Sequence, residues 1–288
     1  MKPPPFLYES PDALDEVLSL LAEHGDEAKL LAGGQSLVPL LSFRLARPAV
    51  LVDLNAVGGL SGVSAADGHV TVGSMVRERA AGRSTTIADQ IPLMASAIPL
   101  IGHEAIRTRG TIGGSIAHAD PAAELPAVAV ATRAQMVARS AGRGERTVPA
   151  TEFFQGYFTT ALAADELLTE VRFPEMGSGW GAHFEEAARR EGDFAMVGVA
   201  AAIHLADATI DDARLVLIGV GDTPGRAEDA ERVLIGAEPG ADAFEEAAAA
   251  AVRDLEPPSD LHGSATYRRY VAQILVRRAL DECMARMR

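Results

Sequence analysis

Cysteine is nearly absent from this chain. A lone thiol, Cys283, among 288 residues excludes a disulfide framework within the chain. It also excludes a two-iron or four-iron sulfur cluster held by this chain alone, because such centres normally take four cysteine thiolates. Positive charge is in deficit: 26 Lys and Arg stand against 40 Asp and Glu, a net charge of −14. Phosphate backbones are gripped by clustered Lys and Arg, so nucleic acid is not an expected partner. Long apolar runs are missing too, and no stretch reaches the length of a membrane span. The opening "MKPPPFLYESP" has three prolines in a row and no apolar signal-peptide region. The expectation is a cytoplasmic protein with no membrane span.

What is present is an ordinary globular balance, 48% hydrophobic and 23% charged. The length suits two domains, or one elaborated domain, with a large core. Ser10 and Pro11 read as a helix start, and Leu14, Val17, Leu18 and Leu21 then recur at helical spacing up to Gly25. "AKLLAGG" reads as a strand ending on glycines, and "LVPLLSFRLA" as a helical turn limited by Pro39. "AVLVDLN" and "HVTVGSMV" read as strands. Residues 85–101 are helical by periodicity, with breaks at Pro92 and Pro99. An apolar helix from Glu124, two strands around residues 142–144 and a strand closed by Pro174 follow. "EMGSGWG" (175–181) is a composition break and the best domain boundary. Beyond it lie two apolar strands, "AMVGVAAAIHL" and "ARLVLIGVG", then Ala-rich helices. The last helix is expected from Ser264, with Tyr267, Tyr270, Val271, Ile274 and Leu275 on its buried stripe.

Two stretches share one grammar. "AGGQS" (32–36) and "TIGGS" (111–115) each place paired glycines between an apolar run and a helix start. Paired glycines permit positive φ and close approach of the backbone. Converging backbone N–H groups then form an anion-binding nest, aided by a following helix N-terminus. Neither motif carries Lys or Arg, so backbone amides are the expected donors. Two such nests suit a diphosphate, one from each side, and a Cβ at Gly114 is expected to block its approach. Two ordinary tight turns would account for the same residues.

Other signals read as structural. "LVLIGVGDTPG" imitates a dinucleotide fingerprint, but its glycine spacing is one residue too long and Pro224 interrupts the turn. His118 and Asp120 do not make a metal site, and Asp120–Pro121 reads as a helix cap and first residue. No metal site and no catalytic residue of acid–base or nucleophilic type is expected. The basic "RTRG" (107–110) reads as solvated or paired with acids, Trp180 and Tyr157 as packing residues, and Cys283 as inert.

The two loops, "AHADPAAELP" (117–126), "ARREGDFAMVGVAAAI" (188–203) and "LHGSATYRRYVAQILVRRAL" (261–280) together resemble the FAD-binding medium subunit of molybdenum hydroxylases. This is the carbon monoxide dehydrogenase/xanthine dehydrogenase flavoprotein family, and the resemblance runs along nearly the whole chain. It implies an α+β fold: a two-subdomain PCMH-type FAD-binding module (1–55 and 56–175) and a smaller domain of antiparallel sheet plus helices (176–288). It implies that Lys29, Leu30, Leu31, Ala32, Gly33, Gly34, Gln35 and Ser36 run along the cofactor. Thr111, Ile112, Gly113, Gly114 and Ser115 would meet it from the second subdomain. Asp120 and Glu124 would lie near its ribityl, ribose or adenine portion. Ile101 and Leu168 would pack near the isoalloxazine, and Asp193 and Phe194 would close the site from the C-terminal domain. Glu185 and Glu186 fall where some relatives place a lysine near the flavin; a carboxylate there would disfavour an anionic reduced flavin.

The resemblance further implies an FAD-dependent oxidoreductase subunit. Electrons would arrive from two iron–sulfur clusters in a small partner subunit and leave to an external acceptor. A large partner subunit would hold the molybdenum cofactor, the whole forming a dimer of heterotrimers, a heterohexamer. The competing readings are a self-sufficient flavin enzyme of the vanillyl-alcohol-oxidase or cell-wall reductase type and a flavin-free assembly subunit.

Overall fold

A computed structural model describes residues 2–287. Its first sheet is small and parallel, in the order Leu7–Glu9, Val50–Asp53, Ala28–Leu31. Helix Leu14–His24 covers it, packing Val17, Leu18 and Leu21 against Ala28, Val50, Val52 and Leu54. Burying each such side chain contributes about 1.5–3 kcal/mol. The helix starts at Leu14, capped by Ala13, rather than at Pro11. The apolar spacing was the true signal; Ser10 and Pro11 lie in the approach. Gly25, at φ +50°, ends it.

The second sheet is antiparallel, ordered Val63–Ala66, His69–Gly73, Leu167–Pro174, Gln135–Ser140, Gly144–Pro149. Its central strand, Leu167–Pro174, returns from far along the chain. Between its two halves run helices Thr85–Gln90, Pro92–Ala97, Glu104–Arg109, Ile112–His118 and Glu124–Ala131. Pro92 opens its helix at the first turn, where its missing N–H costs nothing.

The third sheet is also antiparallel: Trp180–Ala188, Ala195–Ala206, Thr209–Ile218 and Gly225–Arg226. It is buried on both faces. Phe184, Ala200, Ala202 and Val216 pack on the middle of the molecule; Val197, Val199, Ala201 and Ile203 pack beneath helices Ala241–Val252 and Ala265–Ala285. Two covered faces explain why residues 195–203 read as an unbroken apolar run. The strand Gly225–Arg226 turns back antiparallel on Val216 and Leu217, so the dinucleotide look-alike is a structural connection.

Two expectations fail here. Trp180–Ala188 is a long strand that the sequence reading did not assign; the composition break at 175–181 overlaps only its first two residues. Its inward residues are Gly181, Ala182 and Phe184, too few and too small to show an alternation. The last helix does begin after Ser264, whose hydroxyl accepts from the Tyr267 N–H at 3.2 Å. Yet its buried face is Arg268, Ala272, Leu275, Val276, Ala279, Leu280 and Cys283, while Tyr267, Tyr270 and Ile274 are exposed. Small residues let this helix sit close to the sheet. Arg268 is buried with both terminal guanidinium nitrogens matched, Nη1 donating to the carbonyls of Met196 and Gly219 and Nη2 to Asp260.

Candidate functional site: two glycine loops in contact

The two glycine loops touch. An ideal Cβ on Gly33 would lie 2.3 Å from the Arg109 carbonyl oxygen and 2.8 Å from the Gly110 Cα. One on Gly114 would lie 3.5 Å from the Ala32 Cβ. Residues about eighty positions apart thus meet, joining the segment that follows the parallel sheet to the one that crosses the antiparallel sheet.

The first loop follows strand Ala28–Leu31 and leads into helix Leu37–Ser42. Gly34 takes φ +74°, a left-handed conformation that turns successive peptide planes toward one side. Side chains hold the loop's carbonyls: Gln35 Nε2 donates to the Gly33 oxygen at 3.0 Å, and Asn55 Nδ2 to the Ala32 oxygen at 3.2 Å. The N–H groups of Gly33, Gly34, Gln35 and Ser36 have no protein acceptor among the described residues. Adjacent unmatched amides at a helix entry are the donor set a diphosphate requires.

The second loop differs. Thr111 caps helix Ile112–His118, its hydroxyl accepting from the Gly114 N–H at 3.0 Å. The Ile112 N–H donates to Val76 at 2.9 Å, that of Gly113 to Ser74 at 2.9 Å, and that of Ser115 to Thr111 at 3.0 Å. These amides are engaged, so the loop is no second nest. It offers the hydroxyls of Thr111 and Ser115, a helix N-terminus and a wall. The reason for Gly114 changes with it. A Cβ there would meet the Thr111 hydroxyl at 2.6 Å, disturbing the cap, and one on Gly113 would meet the Ser74 Cβ at 2.4 Å.

The other expected site residues divide between cleft and core. Lys29 is exposed and Leu30 and Leu31 are half-buried on the strand that leads into the first loop. Ile101 and Leu168 are 8% and 3% exposed and belong to the central core. Arg107, read from sequence as solvated or paired with acids, pairs with Glu104 at 3.4 Å and also clasps the Ile101 turn through the carbonyls of Pro99, Ile101 and Gly102. Asp193 and Phe194 are exposed on the hairpin between Trp180–Ala188 and Ala195–Ala206. That hairpin reaches the Ile101 turn: a Cβ on Gly192 would lie 2.6 Å from the His103 ring. Asp120 caps a turn rather than a helix, accepting from the Ala122 N–H at 2.9 Å; the helix starts three residues after Pro121, at Glu124.

Glu124 is buried at that helix start, and its charge acts on buried Glu78 and half-buried Glu186. Burial pushes Glu124 up to about 7, with Asp120 adding to the effect against the stabilising backbone hydrogen bond. Burial pushes Glu78 up to about 8, the Glu124 charge raising it further and Arg107 opposing. Glu186 reaches about 8, again through burial first and Glu124 second. The strand's alternation separates Glu186 from Glu185, which pairs with Arg278 and His183 on the opposite face. At neutral pH Glu186 is therefore largely a neutral acid.

Comparison with known proteins agrees with this architecture. Residues 4–176 match the family described as the FAD binding domain in molybdopterin dehydrogenase. Residues 182–283 match the CO dehydrogenase flavoprotein C-terminal domain. The chain belongs to this flavoprotein family. It is 42% identical over 289 residues to the 6-hydroxypseudooxynicotine dehydrogenase complex subunit alpha of Paenarthrobacter nicotinovorans, covering 100% of this chain and 97% of the relative. It is 37% identical to the carbon monoxide dehydrogenase medium chain of Hydrogenophaga pseudoflava over 99% of both chains. The solved structure of carbon monoxide dehydrogenase from that organism superposes with a TM-score of 0.97 at 38% identity, covering 100% of both chains. Quinoline 2-oxidoreductase from Pseudomonas putida 86 superposes with a TM-score of 0.94, also at 38% identity and 100% of both chains. The chain is thus an FAD-binding medium subunit of the molybdenum hydroxylase family, an oxidoreductase component. The unmatched amides of the first loop fit the cofactor's diphosphate. Among the described residues no helix is long and apolar enough to cross a membrane.

Proposed function

We propose that this chain is the electron-exit subunit of a cytoplasmic molybdenum hydroxylase. It would carry electrons from the iron–sulfur clusters of a small partner to an external acceptor, with the molybdenum cofactor in a large partner and the assembly a dimer of heterotrimers. The observation that carries this reading is the row of free N–H groups from Gly33 to Ser36, set against the Thr111 helix start. FAD bound there would accept electrons singly or in pairs, which one-electron centres cannot do.

The chain's own residues bind and orient. Gly33, Gly34, Gln35 and Ser36 would donate to the diphosphate, and the hydroxyls of Thr111 and Ser115 would face it from the other side. Lys29, Leu30, Leu31 and Ala32 would run beneath the nucleotide. Ile112 and Gly113 would seat the second loop on the sheet, and Asp120 and Glu124 would border the sugar. Ile101 and Leu168 would back the flavin ring, with Asp193 and Phe194 over its edge. We assign the subdomains to residues 1–55 and 56–175 and the C-terminal domain to 176–288. The only cysteine supports the division of labour: Cys283 is buried on the last helix, its thiol donating to the Ala201 carbonyl, so it is unsuited to ligate a cluster.

Purification from the native source tests the proposal. The expected product is a complex of three chains holding molybdenum, iron and acid-releasable FAD. The isolated chain should take up FAD and show no substrate hydroxylation. Flavin that stays with denatured protein, or turnover by the single chain, would point to a self-sufficient oxidase instead.

A further inference from the structure

Arg77 belongs to neither glycine loop, yet it reaches both. Its backbone forms a bridge with Thr111, beside the hydrogen bond from the Ile112 N–H to Val76. Its guanidinium crosses the cleft wall in two directions. Nη1 donates to the Arg109 carbonyl, the oxygen against which Gly33 packs. Nη2 donates to Asn55 Oδ1 at 2.5 Å.

Asn55 passes this contact on. With its oxygen engaged by Arg77, its Nδ2 faces the Ala32 carbonyl at 3.2 Å and Asp53 Oδ1 at 2.5 Å. Asp53 is held in turn by the Tyr8 hydroxyl and the Asn55 N–H. The Ala32 carbonyl and the Gly33 N–H belong to one planar peptide unit and point in opposite directions. A donor fixed on the Ala32 oxygen therefore fixes the aim of the Gly33 N–H, the first unmatched amide of the loop.

We propose that Arg77 is a positioning residue for the cofactor: acting through Asn55 and the Arg109 carbonyl, it sets the spacing of the two loops and aims the Gly33 N–H at the FAD diphosphate. The inference deepens the functional reading above and rests on it. The fork is essential to this role. A guanidinium serves two acceptors at a fixed angle, whereas a lysine ammonium offers a point charge on a flexible stem. Surface hydrogen bonds of this kind ordinarily contribute little to stability. Their value here is directional, since they orient a peptide plane whose N–H has no partner among the described residues.

The experiment is a fluorescence titration of FAD into the apo chain for wild type, Arg77→Lys, Arg77→Met, Asn55→Ala and the double variant Arg77→Met/Asn55→Ala, with the apo Tm of each. Each single variant is expected to weaken FAD binding about tenfold, the loss of one charge-assisted positioning contact. The double variant should bind about as well as the weaker single one, because the two residues act in series. Apo Tm values should stay near wild type. An Arg77→Lys variant with wild-type affinity would show that charge alone suffices and would overturn the proposal. So would unchanged affinity in Asn55→Ala, or losses that multiply in the double variant. Should Arg77→Met fail to fold, Arg77→Lys and Asn55→Ala decide the matter. A wild-type chain that takes up no FAD would instead remove the functional reading on which this inference rests.

Discussion

The two glycine loops look alike as sequence and differ as chemistry. In residues 32–36 side chains hold the carbonyls and leave the N–H groups free. In residues 112–115 the N–H groups are engaged with Val76, Ser74 and Thr111. The first loop is a donor set; the second is a brace that happens to begin a helix. Glycine serves close packing in both. The Cβ of an alanine would strike backbone at position 33 and a capping hydroxyl at position 114. A doubled motif therefore does not mean a doubled function. What distinguishes the two is whether the backbone donors have partners already.

Substitutions can break this comparison. The largest effect is expected at Gly33→Val, because its Cβ would meet the Arg109 carbonyl carbon and oxygen rather than a flexible side chain. Overpacking of this kind costs about 1–3 kcal/mol, so FAD affinity should fall by up to about a hundredfold. The ratio of flavin to protein absorbance in the purified variant reads this directly; an undiminished ratio would mean the loops need not touch.

Next in size is a pH effect beneath the second loop. The Glu78 carboxyl lies against Gly110, where a Cβ would come within 2.3 Å of Oε2. Its folded pKa of about 8 exceeds the ordinary 4.5. The folded state thus holds a proton that the unfolded chain releases earlier. The associated stability is complete below pH 4.5 and is lost as the pH rises toward 8, with a slope of at most about 1.4 kcal/mol per pH unit. Urea midpoints measured across this window should decline for the wild type and decline less steeply for Glu78→Gln. Parallel pH profiles for the two proteins would remove Glu78 from the account.

Thr111→Val is expected to cost about 1 kcal/mol of apo stability through loss of the helix cap. FAD affinity should fall less than in Gly33→Val, since the one amide set free, that of Gly114, lies in the second loop and no donor of the first loop is blocked. A larger loss of flavin than of stability would make the Thr111 hydroxyl a direct ligand and bring the two loops closer in role. The smallest effect should come from Gln35→Ala. That side chain is exposed and only orients the Gly33–Gly34 peptide, so a change of about threefold in FAD affinity is expected. Equal binding by the variant would show that the positive φ of Gly34 orients that peptide unaided.

Much of the fold was legible because it rests on short-range patterns. Val17, Leu18 and Leu21 announced the first helix, and Pro92 broke the helical stretch where the structure breaks it. Strand Trp180–Ala188 was hidden because its buried face uses glycine and alanine between charged residues, and its pairing with Ala195–Ala206 supplies the regularity. The last helix misled because Tyr267, Tyr270 and Ile274 form an apolar stripe at helical spacing on the exposed side. Of the site, the glycines were visible in sequence. Asn55, Arg77, Glu78 and Arg107 were not, since nothing local marks a polar residue whose partner lies in a distant segment.

By itself, then, the order of residues fixed where backbone can turn sharply, which stretches alternate or cycle, and that one thiol cannot assemble a cluster. These follow from steric limits and from counting. Tertiary structure alone decided which amides remain unmatched, which carboxyls lose water and keep a proton, and which guanidinium joins two loops. Those properties depend on what lies across the cleft, and a hydrogen-bonding group has no function until its partners are in place or are missing.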